Sequence, residues 1–152
     1  MKKLYFFCCM IFLALLLPTL VEAKTETGRL AQADRYYQQG EFKKAYKIYS
    51  KMAKAGDHYS QHRLAQMFAR GEGMKADLVQ AYAWAVLATE GGQDGVENYR
   101  DSLLQRVENK NDAQEKANKL KKKYGQEALG AKNARKTHPD RSITCTGSRL
   151  PC

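Results

Sequence analysis

Between Lys24 and His138 the chain has no proline, and glycine interrupts it at intervals of one helix length. The breaks fall at Gly40, Gly56, Gly71 with Gly73, Gly91 with Gly92, and Gly125. No segment of this stretch alternates apolar and polar residues for long, and no Asn-Gly or Asp-Gly turn joins two β-branched runs. An all-α fold is therefore expected, with six helices near 26–39, 42–55, 60–70, 78–90, 95–108 and 112–124. Asp77 is the expected N-cap of the fourth helix and Asn111 that of the sixth. Both side chains accept bonds from the free N–H groups of a first helical turn.

The residues before Lys24 have a different character. Lys2 and Lys3 precede an unbroken apolar run, Leu4 to Leu17, which Pro18 ends. Val21-Glu22-Ala23 then sets small residues where a signal peptidase cuts, so 1–23 reads as a signal peptide. The run is 14 residues, against roughly 20 for a helix that crosses a membrane. An uncleaved signal anchoring the chain to the inner membrane is the alternative. Export to a bacterial periplasm or to the medium is the expectation. The full chain carries a formal charge of +10. Removing Lys2, Lys3 and Glu22 with the signal leaves +9. Of the four cysteines, Cys8 and Cys9 lie in the apolar run. Cys145 and Cys152, with six residues between them, are left as the disulfide candidate in an oxidising compartment.

The second and fourth helices repeat each other. Ala45-Tyr46-Lys47-Ile48 aligns with Ala81-Tyr82-Ala83-Trp84 at an offset of 36 residues, and Gly56 then meets Gly92. Tyr37-x-x-Gly40 likewise aligns with Phe68-x-x-Gly71. A period of about 34–47 residues marks stacked helical hairpins, each of which buries its apolar face only against its neighbours. Ala45, Ala65, Ala81 and Ala88 would let helix axes approach. Tyr36, Tyr49, Phe68, Tyr82 and Trp84 would fill the wedges between them.

The segment from Ser60 to Asp77 resembles a bacterial Sel-one-like repeat, a relative of the tetratricopeptide repeat. The resemblance rests on Leu64, Ala65, Phe68, Gly71, Gly73, Met74, Asp77 and Ala81, and continues through Trp84, Leu87, Ala88 and Gly91. Asn98-Tyr99-Arg100-Asp101 with Leu103-Leu104 is similar to the helix that follows a final repeat in bacterial members. The first hairpin is closer to an ordinary tetratricopeptide unit in Ala33, Tyr36, Gly40, Phe42, Ala45 and Tyr49, while Gln32 stands where a Leu is usual. The resemblance implies a short right-handed α-solenoid of about three helix-turn-helix hairpins over 24–125. It also implies an adaptor or scaffold that binds a protein or peptide. By analogy with the concave face of that fold, Tyr37, His62, Gln66 and Arg70 are the expected partner-binding residues.

The C-terminal part is basic. Residues 110–123 hold six Lys against Asp112 and Glu115, with Lys119, Lys121, Lys122 and Lys123 as the basic patch. Three consecutive Lys spread around most of a helix and so do not form one face. Residues 126–152 contain no aromatic residue and are expected to form an extended basic tail. A secondary expectation follows from this charge, the binding of an anionic envelope polymer, lipid or nucleic acid.

No catalytic motif is present. Gly71-Glu72-Gly73 lacks the Lys-Ser/Thr that follows a phosphate loop and the strand that precedes one. His58 and His62 are four apart, with the third helix expected to begin between them and no third ligand at zinc spacing. There is no Gly-x-Ser-x-Gly and no Ser-x-x-Lys. No enzyme activity, cofactor, metal or small-molecule substrate is expected.

Overall fold

The computed structural model describes residues 27–137, with the backbone alone for residue 132 and for 134–137. The signal segment and the Cys145–Cys152 pair lie outside the described residues.

The described chain is all-helical. Helix α1 spans 27–38, α2 Phe42–Lys54, α3 His58–Arg70, α4 Leu78–Ala88, α5 Val96–Arg106, α6 Lys110–Tyr124 and α7 Gln126–Thr137. A short 3₁₀ turn, Thr89–Gly91, extends α4. Helices α1 to α6 occupy the six stretches expected from the glycine spacing and pack sequentially.

Helix α4 is the centre of the domain. Ala81, Tyr82, Ala83, Trp84, Ala85, Leu87 and Ala88 are all buried, as expected of a helix that is apolar on every side. Its most extensive neighbours are α3 and α6, with α5 on a further side. The alanines let these helices approach closely. Leu64 and Met67 of α3, and Leu103 of α5, are almost fully buried. Each such side chain contributes about 1.5–3 kcal/mol relative to exposure. Tyr49, Tyr82 and Trp84 are core residues as expected, whereas Tyr36 and Phe68 are only partly buried at its edge.

The helix starts follow local chemistry. Asp77 caps α4 by accepting from the Gln80 N–H at 2.8 Å, as expected. Asp57 does the same for α3 from Ser60 at 2.7 Å. This cap starts α3 at His58, so both histidines lie on one helix rather than either side of its start. The sixth helix differs from expectation. Its cap is Asn109, which accepts from the N–H groups of Asn111 and Asp112, so Asn111 lies inside the first turn. Between α3 and α4, the chain passes Gly73 at φ +83°, where an added Cβ would stand 3.0 Å from the Phe42 backbone. Only glycine suits both the left-handed backbone and that approach.

The expected extended tail is corrected over 126–137, where the chain forms α7. Composition suggested too little apolar surface, but α7 docks through a few specific contacts. Leu129 lies over Gly56, whose missing side chain makes the room; a Cβ there would be 2.7 Å from Leu129 Cδ1. The Gln126 backbone N–H donates to Glu90 Oε2 at 2.8 Å, and Lys121 pairs with Glu90 Oε1 at 3.3 Å. Gln126 Nε2 also meets His58 Nε2 at 2.9 Å.

Candidate functional site

Helix α3 carries Tyr59, His62, Arg63, Gln66 and Arg70 at spacings of three and four, which places them along one side of the helix. Helix α1 sets Asp34 and Tyr37 against this row. The loop after α3 adds Glu72, and α5 adds Tyr99.

Asp34 ties α1, α2 and α3 together. Its Oδ1 accepts from the Tyr49 hydroxyl at 2.5 Å and the Tyr59 hydroxyl at 2.7 Å, and the Arg63 guanidinium stands 3.6 Å away. Arg63 Nε donates to the Tyr59 oxygen at 3.0 Å, and its guanidinium lies 4.9 Å from the Tyr37 ring centre and 5.3 Å from that of Tyr59. A planar cation over an aromatic face is attracted by the ring quadrupole. Burial, and then the bond to Asp34, push the Tyr49 hydroxyl well above the ordinary phenol range and raise that of Tyr59. Both therefore remain protonated donors at neutral pH.

The other end of the row is more open. The Tyr37 hydroxyl donates to Glu72 Oε2 at 2.8 Å and accepts from Arg70 Nη1 at 3.1 Å. The Arg70 side chain is 58 % exposed, against 18 % for Glu72. His62 meets Tyr99 edge to face at 5.2 Å. Tyr37, His62, Gln66 and Arg70, named from the sequence, thus fall in one connected patch. Asp34, Tyr59, Arg63 and Glu72 were not singled out for it. The signal was present in the sequence: Tyr59 and Arg63 continue the row of Gln66 and Arg70, and Asp34 is one turn before Tyr37.

Gln66 fixes the state of His62. Its Oε1 accepts from Arg63 Nη1 at 3.3 Å, so its amide nitrogen faces His62 Nε2 at 2.8 Å. An amide N–H requires a lone pair there, which assigns the ring as neutral with its proton on Nδ1. That Nδ1 is buried and has no hydrogen-bond partner among the described residues. Burial, and then the Arg63 charge, hold the His62 pKa below its ordinary 6.5. The unfolded chain is then the better proton binder, so this residue costs stability as pH falls through 6.5. The urea midpoint is expected to drop between about pH 7.5 and 5.5, and to drop less in His62→Gln. Equal drops in the two proteins would refute a neutral, buried His62.

The basic end is separate. Ala113 and Ala117 bury one side of α6, and Leu120 and Tyr124 pack against the core. Lys119, Lys121, Lys122 and Lys123 are exposed. Lys119 pairs with Glu115 at 2.5 Å and Lys121 with Glu90, while Lys123 lies 5.1 Å from the Tyr124 ring centre.

No protein-family model matches this chain, and neither a curated protein nor a solved structure matches it. Among the described residues no group of three or more His, Cys, Asp or Glu is placed to hold a metal ion. None of their helices is long and apolar enough to cross a membrane.

Proposed function

We propose that this chain is an exported protein–protein interaction module, a short helical-repeat solenoid of the Sel-one-like kind that binds a partner protein or peptide. The reading is supported by one observation above others. Four residues chosen from the sequence by analogy with a concave repeat surface lie together on the side where α1, α3 and α5 meet. Ring faces, hydroxyls and the exposed Arg70 guanidinium suit an extended peptide, whose backbone and acidic side chains would meet donors already held in place. The chain contributes no catalysis in this reading, and requires no cofactor or metal.

The electrostatic reading is supported by the exposed lysines of α6 and by the charge of +10. It assigns an anionic polymer, lipid or nucleic acid to the basic end instead. One experiment separates the two. The protein, purified as the producing cell processes it, is used to capture partners from envelope extract beside Arg70→Glu and beside Lys119→Gln with Lys122→Gln. The expected result is a protein retained at high salt, lost on Arg70→Glu and kept by the lysine variant. Retention that collapses with salt and with the lysine variant, but survives Arg70→Glu, would move function to the basic end.

A further inference from the structure

At the end of the α1–α2 pair away from Gly40, the two helices and the turn into α3 enclose a groove of about 880 Å³. That lies within the roughly 300–1,000 Å³ usual for small-ligand sites. Its residues are sorted by chemistry. Ile48 and Met52, one turn apart on α2, form an apolar row with Leu30 of α1 across from it. Lys47 and Lys51 form a second row beside the first, and Arg29 of α1 stands at the same rim. Met52 is only 9 % exposed, and Leu30 and Ile48 are half-buried, so the apolar part is a floor and not a ridge.

The described rim is cationic. Among the described residues no carboxylate pairs with Arg29, Lys47 or Lys51. The groove's only described acid is Asp57, whose Oδ1 accepts from the Ser60 N–H at 2.7 Å, so the described lining carries three cations against one carboxylate, a net +2. A ligand that fits would carry one apolar stem for the floor and one negative head for the rim.

We infer that this groove binds a free single-chain anionic amphiphile, an acyl chain with a carboxylate or phosphate head. A bilayer surface fits less well, because a flat interface cannot reach apolar residues that lie below a cationic rim. The groove shares no residue with the α1–α3–α5 patch, so this inference stands or falls independently of the proposed function.

The test is titration of the protein, purified as the producing cell processes it, with a dansyl-labelled fatty acid, beside its methyl ester and beside phosphatidylglycerol vesicles. Lys47→Glu with Lys51→Glu tests the rim, and Ile48→Ser tests the floor. Both sites are solvent-facing or half-buried, and thermal melting checks that each variant is folded. The acid is expected to bind with a dansyl blue shift. Its affinity should fall on the order of tenfold in the lysine variant, with the ester little changed. Ile48→Ser should weaken acid and ester alike. Equal binding of acid and ester, indifference to the lysine variant, or binding to vesicles but not to the monomeric probe would each overturn the inference.

Discussion

Trp84→Ala is expected to destabilise the domain by about 3–5 kcal/mol, the range for deleting a large buried aromatic. For a domain of this size that lowers the melting temperature by more than about 10 °C. Trp84 is 3 % exposed in the central helix, and its ring stacks on Tyr124 of α6 at 5.9 Å and 19°. The substitution empties the seam that holds α6 against α4, where the buried residues of α6 are the small Ala113 and Ala117. Trp84→Phe is the informative control. The indole N–H has no hydrogen-bond partner among the described residues, so losing it leaves no acceptor unpaired. Phenylalanine should therefore cost less than about 2 kcal/mol. Urea denaturation followed by circular dichroism gives both values. A Trp84→Ala protein that melts within a few degrees of the parent would mean that this seam is not close-packed.

Asp34→Ala should cost about 2–4 kcal/mol, because it strands two donors at once and each bond to a charged acceptor is worth about 1.5–3 kcal/mol. Tyr49 is fully buried, so its hydroxyl has no water to turn to. The Tyr59 hydroxyl and Arg63 lose their common anion as well. Asp34→Asn should cost roughly half as much, since its amide oxygen still accepts while the charge is gone. Tyr49→Phe should be milder again, at about 1 kcal/mol, because Asp34 keeps Tyr59 and Arg63. The order Ala, Asn, then Tyr49→Phe is the result to check by urea titration. Equal costs for Asp34→Ala and Tyr49→Phe would show that only one of the two hydroxyl bonds contributes.

The helices were legible because their punctuation is chemical. Gly40, Gly56 and Gly71 end elements in left-handed backbone, and Asp77 starts one with its own carboxylate. The sixth start was misassigned to Asn111 because Asn109 lies only two residues earlier and has the same capping chemistry. Sequence spacing does not choose between them. The patch was half legible. The analogy with a concave repeat face brought out Tyr37, His62, Gln66 and Arg70, but Asp34 is defined by hydroxyls from α2 and α3, and such convergence needs the packed fold. Helix α7 was obscured by reading composition where propensity was the better guide. Residues 127–137 are mostly good helix formers, and the next proline is Pro139. What anchors them is a long-range fit, Leu129 on Gly56, with no local signature.

That fit changes where this chain can be altered in length. A turn between two helices is ordinarily a place where insertion is tolerated. The α2–α3 corner is an internal joint instead, because anything added at Gly56 is passed through Leu129 to α7, and through Gln126 to His58 and Glu90. An added Cβ at Gly40, Gly92 or Gly95 meets no described atom within 4 Å. The freedom to lengthen the chain therefore resides at those turns, and a domain graft or a circular permutation belongs there rather than at the corner that α7 closes.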